Sequence, residues 1–396
     1  MMTATDEDFS RHLSRWGTHS AKWDLLAKDL GENAIALSVA DMEFVSCPAV
    51  REAIADAAAL GAYGYTEVFD DFAEAATAWM TRRHGWSCEV EDVHFFPRVV
   101  QCVAALVDHV LPRDDRPVRV VTLDPAYSPL LEVCERAGTD LVRVPVRDTA
   151  ASASIDWEAL EEALADADLL LWTNPHNPTG RIWSVDEQHR LAELLRDCRT
   201  LVLSDDIHCD FERPGGQRYS ALARVAKDLW MSGRIVHCAS PGKTFNIAGL
   251  EATAICVHGP LGAELEAAKR RMGLHNPNYF AIPAAIAAWT KGDAWVDALA
   301  KEIDANLEAA RSLLARLLPE ARVSDPDGTY LLWIDASAYI GSEADLVRAE
   351  RAASVTVSPG PDFGPAYDRF FRINTALPRQ ELLEGITRLA GALTRN

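Results

Sequence analysis

The run Ser240-Pro241-Gly242-Lys243-Thr244 places a hydroxyl three residues before a primary amine, just after the apolar stretch Ile235-Cys238. An unprotonated lysine amine condenses with an aldehyde, and a hydroxyl with nearby backbone N–H groups binds a phosphate. The run therefore suits an enzyme that tethers a phosphorylated aldehyde cofactor. The same Ser-x-x-Lys spacing also serves a serine nucleophile with a lysine base in acyl transfer, or an ordinary loop. Asp205 closes another apolar stretch, Leu201-Ser204. A buried carboxylate there needs a cationic partner, and a protonated ring nitrogen is one. Arg372, in Phe371-Arg372-Ile373-Asn374, puts a guanidinium in an apolar strand and needs an anion. A substrate α-carboxylate suits its fork, as would an internal ion pair.

Asn174-Pro175-His176-Asn177-Pro178-Thr179-Gly180 follows a further apolar stretch, and its two Asn-Pro steps force an extended, turn-rich backbone that can fix the Asn177 amide. Tyr127 also sits just past a strand, where its ring could stack on a flat cofactor or join the core. His208 reads equally as a ligand contact or a core histidine. Asp206, His208, Cys209 and Asp210 lie together, but a metal is not expected, because one short stretch offers no second ligand group. Gly242-Lys243-Thr244 could close a nucleotide-binding P-loop, yet the first glycine of that pattern falls on His237, whose side chain would crowd the phosphate cradle.

These residues need strands to hold them. Short apolar runs at Val118-Thr122, Leu141-Val144, Leu169-Thr173, Leu201-Ser204, Ile235-Cys238 and Ala252-Val257 alternate with longer amphipathic stretches such as Ser184-Arg196. The alternation predicts an α/β fold in which a mostly parallel central sheet is flanked by helices. Ligands in such sheets bind beyond the carboxyl ends of the strands, where the polar clusters fall. After Pro283 the composition changes to a helical stretch, Asp293 to Leu318, with strands at Tyr330-Ile334 and Arg369-Ile373. A large domain is expected over residues 50–284, with a smaller α+β domain over 285–396.

The 396 residues, 48% of them hydrophobic, suffice for a large core. A formal charge of -20 repels nucleic acid and acidic membrane surfaces, so neither is expected as a partner. The acidic start, Met1 to Asp8, has no leader pattern, and no stretch is long and apolar enough to cross a membrane. Eight cysteines without CxxC pairing read as reduced thiols, which suggests the cytoplasm.

Taken in order, Tyr127, Asn177-Pro178-Thr179-Gly180, Asp205, Ser240-x-x-Lys243 and Arg372 resemble the fold type I pyridoxal phosphate enzymes of the aspartate aminotransferase superfamily. Arg15-Trp16-Gly17-Thr18-His19-Ser20-Ala21-Lys22-Trp23-Asp24, Val39-Ala40-Asp41-Met42-Glu43-Phe44, Tyr63-Gly64-Tyr65-Thr66 and Ser204-Asp205-Asp206-Ile207-His208-Cys209-Asp210 are similar to its MalY/PatB-like branch of cystathionine β-lyases and cysteine C–S lyases. The resemblance implies a small domain that also includes residues 1–49. It implies pyridoxal 5′-phosphate linked to Lys243, Asp205 on the ring nitrogen, and Asn177 with His208 on the ring hydroxyl. Tyr127 would stack on the ring, Ser240 and the backbone of Val99 and Val100 would hold the phosphate, and Arg372, with Asn177, would take the substrate carboxylate. Tyr65, with Tyr63 as second choice, would reach the phosphate and substrate of a neighbouring subunit, making a homodimer with shared sites. Lys243, Tyr127 and Asp205 would be the catalytic set for β-elimination from an amino-acid thioether, giving a thiol, pyruvate and ammonia. A class I/II aminotransferase is the rival reading, and a binding protein on a retired enzyme scaffold a third. Four positions depart from the family pattern: Arg98 for a glycine beside the phosphate, Gly242 for a serine, Glu251 for a phosphate-binding arginine, and Ser128 for a tyrosine.

Overall fold

The computed structural model describes residues 8–111 and 116–395. Residues 1–7, most of the stretch on which the lack of a leader is read, lie outside the described residues. The strands are β1 (Ile35–Ala36), β2 (Val93–Phe96), β3 (Arg119–Asp124), β4 (Asp140–Arg147), β5 (Ser154–Ile155), β6 (Leu169–Thr173), β7 (Leu201–Asp205), β8 (Ile235–Ala239), β9 (Thr253–Cys256), β10 (Arg322–Val323), β11 (Leu331–Asp335), β12 (Val355–Thr356), β13 (Ser358–Pro359) and β14 (Phe370–Asn374). Strands β2 to β9 form one sheet in the order β2-β9-β8-β7-β6-β3-β4-β5.

Successive side chains of a strand point to opposite faces. In β3, β6 and β7, Val121, Leu170 and Val202 enter one apolar layer, while Val120, Leu171 and Leu203 enter another. Both faces are covered, so these strands carry unbroken apolar runs rather than polar alternation. Pairings from β4 through β3, β6 and β7 to β8 are parallel. The margins are antiparallel: β9 against both β8 and β2, and β5 against β4. Between β8 and β9 the chain makes only the short helix Pro241–Thr244 and the 3-10 turn Ala248–Leu250. Without a crossover helix the strand returns antiparallel. The short β2, which carries His94 among its apolar residues, had no clear signal in the sequence.

Helix Val185–Arg196 opens on a capping box formed by Ser184 and Glu187, which satisfies two N-terminal donors reciprocally. The long helix expected after Pro283 spans Asp293–Leu317. A second sheet, antiparallel throughout, runs β10-β11-β14-β13 and sets Trp333 opposite Arg372. The N-terminal β1 pairs in parallel with β12, Ile35 against Val355. Among the described residues no helix is long and apolar enough to cross a membrane. The carboxyl ends of β3, β6, β7 and β8 open on one crevice, where the strand order reverses beside β3.

Candidate active site

A cavity of about 580 Å³ occupies that crevice, and Tyr127, Asn177, Asp205, His208, Lys243 and Arg372 all line it. Tyr127 stands at the start of helix Ser128–Arg136, after β3. Asp205 is the last residue of β7, and Lys243 projects from the helical turn Pro241–Thr244 after β8. Arg372 reaches in from β14 of the second sheet. Asn177 belongs to the turn after β6, which is braced internally: Asn174 Oδ1 accepts from the Trp183 amide at 3.0 Å, and the His176 ring meets Thr179 Oγ1 at 2.8 Å. Gly180 ends this turn with φ +74°, and a Cβ there would stand 2.2 Å from Pro326 Cβ. A side chain would push the turn off the second sheet's leading segment.

The Lys243 side chain is half-buried, and its amine donates to the Ala40 carbonyl at 2.7 Å. Burial, and next the charge of Arg372, lower its pKa to about 8, which raises the neutral fraction near physiological pH. Asp205 is buried, and burial, with Asp206 adjacent, raises its pKa to about 7. Among the described residues its carboxylate accepts a long 3.5 Å bond from the Ile207 amide and no other. Burial, then the charges of Lys243 and Arg372, push His208 well below the usual imidazole range, so its ring is neutral, and its Nδ1 has no partner. Arg372 donates to Asn177 Oδ1 at 2.8 Å and to Ser358 Oγ at 3.2 Å, and lies 4.7 Å from the Phe363 ring centroid. Its Nε has no partner, and burial lowers its pKa to about 10. Tyr127 is raised, chiefly by burial. A buried carboxylate and a buried guanidinium thus face one cavity without ion-pair partners among the described residues, an arrangement complementary to a ligand that brings both a cation and an anion.

Four expected site residues stand apart from this cavity. Ser240 donates its hydroxyl to the Ala252 carbonyl at 2.6 Å and accepts from the Gly242 amide, capping the Lys243 turn. Val99 and Val100 begin helix Val99–Ala105, whose start has no side-chain cap. Tyr65 is 98% exposed. Arg98 and Glu251, each unusual alone, form an ion pair at 2.6 Å. Ser128 lines the cavity, together with Glu350 and Asp362, which had no signal in the sequence. Ala40, whose carbonyl receives Lys243 and also Tyr330 Oη at 3.2 Å, lay within a segment singled out by resemblance but given no role. Ser358 was likewise missed, since an isolated serine carries no pattern. His84, Cys209 and Asp210 cluster within 4.8 Å. Hydrogen bonding accounts for them: the Asp210 carboxylate takes Trp79 Nε1 at 3.1 Å, His84 Nε2 at 2.8 Å and Thr244 Oγ1 at 2.6 Å.

Comparison with known proteins places this geometry. The chain is 35% identical over 392 residues to cystathionine beta-lyase PatB of Bacillus subtilis, covering 98% of this chain and 100% of PatB. It is 29% identical to the protein MalY of Escherichia coli, covering 98% of each. The structure superposes on cystalysin from Treponema denticola, a crystal structure containing pyridoxal 5′-phosphate, with a TM-score of 0.92 and 26% identity over 98% of this chain and 99% of cystalysin. The family model for aminotransferase class I and II matches residues 32–389. A match that spans both sheets and every cavity residue named above leaves one assignment: the chain belongs to the aminotransferase class I and II family.

Proposed function

We propose that this protein is a pyridoxal phosphate-dependent carbon–sulfur lyase that cleaves cystathionine or another S-substituted L-cysteine by β-elimination, releasing a thiol, pyruvate and ammonia. The observation that carries the reading is the set Lys243, Asp205 and Arg372, which face one cavity without ion-pair partners among the described residues. Each fits a part of the cofactor or of an amino acid. Asp205, without an ion-pair contact among the described residues, suits a protonated pyridine nitrogen, and His208 Nδ1, unpartnered among the same residues, with the Asn177 amide suits the neighbouring ring oxygen. The bound cofactor supplies an electron sink for negative charge developing at the substrate α-carbon. Lysine attachment chemistry and elimination, rather than amine transfer, follow the full-length likeness to PatB.

The chain's own residues then divide the work. Lys243 would hold the cofactor covalently, and its free amine would accept the α-proton at Nζ; its depressed pKa supplies the neutral amine that this requires. Asp205 would keep the ring nitrogen charged. Tyr127 would cover the ring, and Arg372 would orient the substrate by its α-carboxylate. Ser240 with the Val99 and Val100 amides, which stand outside the cavity lining, would hold the phosphate, joined by Tyr65 from a second copy of the chain. A homodimer with shared sites is part of this reading. Its support is the exposed apolar and aromatic set Leu60, Tyr63, Tyr65 and Phe69, a surface that such a dimer would bury. We divide the chain into a cofactor-holding domain over residues 50–284 and a small domain over 1–49 and 285–396, which the β1–β12 pairing favours. We place the protein in the cytoplasm, consistent with eight cysteines without CxxC pairing.

The test is incubation of the purified protein with cystathionine and no added keto acid. Pyruvate and a free thiol are the expected products. A strict need for a 2-keto acid, with stoichiometric amine transfer, would replace the lyase reading by an aminotransferase.

A further inference from the structure

Arg98 and Glu251 are distant in sequence, and the sheet brings them together. In the antiparallel β2–β9 pair, Phe95 faces Ala254 and Phe96 faces Thr253. The same register, continued past the ends of both strands, sets Arg98 opposite Glu251, and Arg98 Nη2 donates to Glu251 Oε1 at 2.6 Å. Two further bonds stitch this corner together. Thr253 Oγ1 donates to the Pro97 carbonyl at 3.3 Å, and Ser240 Oγ donates to the Ala252 carbonyl at 2.6 Å. The corner is therefore tied to the residue that caps the Lys243 turn.

We propose that Arg98, aimed by Glu251, is the cation that neutralises the phosphate group of the cofactor in this protein, an inference that rests on the cofactor reading above. Of the two facing strand ends, one supplies the cation, Arg98, and the other the carboxylate that directs it, Glu251. The Arg98 charge reaches the site, though more weakly than that of Arg372 from the second sheet: it lowers the pKa of both Lys243 and Tyr127. The chemistry needs such a charge. A phosphate brought near Lys243 would favour the protonated amine, as Asp205 already does, and a guanidinium on the phosphate side offsets that shift. The pair is available for the task, with Arg98 57% and Glu251 38% exposed. An ion pair so exposed is weak, and four donor hydrogens of the guanidinium remain for phosphate oxygens. Glu251 holds a left-handed backbone, φ +60°, which costs a non-glycine residue energy. Glycine would relieve that strain but would remove the carboxylate that directs Arg98.

The full-length protein, stripped of cofactor with hydroxylamine, is titrated with pyridoxal 5′-phosphate and separately with pyridoxal, which lacks the phosphate. Thermal melts check that each variant is folded. Arg98→Ala is expected to weaken pyridoxal phosphate about tenfold, the scale of one charge-assisted hydrogen bond, to leave pyridoxal unchanged, and to flatten the salt dependence of binding. Arg98→Glu alone should lose more, and Arg98→Glu with Glu251→Arg should recover most of the affinity. An unchanged affinity in Arg98→Ala, or an equal loss for both ligands, overturns the inference while leaving the cofactor reading intact. If the unsubstituted protein takes up neither ligand, the cofactor reading itself falls and the inference with it.

Discussion

Arg372 of β14 and Asn177 of the turn after β6 meet through a 2.8 Å bond from Nη1 to Oδ1, joining the two sheets at the cavity. A guanidinium only donates, so the atom facing it must be the amide oxygen, and Asn177 Nδ2 is left as the donor for a ligand. One carboxylate of a bound amino acid would therefore meet both residues. Arg372→Ala should lower kcat/KM for amino-acid substrates by the equivalent of about 2–5 kcal/mol, with Arg372→Lys partly restoring it. Steady-state kinetics check this, and an unchanged kcat/KM removes Arg372 from the substrate site.

Asn177→Asp tests the same contact from the other side. A carboxylate at this position would form an internal ion pair with Arg372 and compete with the substrate. KM should rise at least about tenfold while the protein melts no lower than the unsubstituted form. A fall in melting temperature with unchanged KM would make the Asn177–Arg372 contact structural only.

Lys243→Ala should abolish turnover and the visible absorbance of a lysine-linked cofactor. Borohydride treatment followed by peptide mass analysis should find the reduced adduct at residue 243 in the unsubstituted protein alone. Turnover retained in pure Lys243→Ala protein would reassign the nucleophilic amine.

Asp205 makes the cofactor-free protein sensitive to pH. Its folded pKa, about 7, lies above the ordinary value of 3.8, so the folded state binds the extra proton between these limits. Its contribution to stability is therefore lost as pH rises from about 4 to 7, by on the order of 4 kcal/mol. Asp205→Asn should flatten that slope and make the cofactor-free protein more resistant to urea at pH 8. Cofactor should cancel the slope in the unsubstituted protein, because the ring nitrogen supplies the missing cation. Urea titrations at pH 5 and pH 8, with and without cofactor, decide the matter.

Lys22 and Glu43 form a fully buried ion pair at 2.8 Å, with Trp23 Nε1 also on Glu43 and Arg15 beside it at 3.3 Å. Glu43→Gln strands the Lys22 ammonium and should cost about 3–5 kcal/mol in urea unfolding. Lys22→Met with Glu43→Leu should recover much of that loss. If Glu43→Gln is neutral, the N-terminal segment is not held by this pair.

The sequence by itself determined the longer strands and what stands at their ends. Leu169–Thr173 and the start of β7 are legible because strands covered on both faces must be apolar throughout, and Asp205 and Lys243 follow because polar residues resume where the cover stops. Arg372 was legible for the opposite reason, as a charge where its neighbours are apolar. Tertiary structure alone decided the partners. Lys243 meets the Ala40 carbonyl from 203 residues away, Arg372 meets Asn177 across 195, and Arg98 meets Glu251 across 153. No local pattern encodes such contacts, since each depends on which strands lie side by side and in what register. Arg98 and Glu251, two separate anomalies along the chain, become one ion pair only because β2 returns against β9.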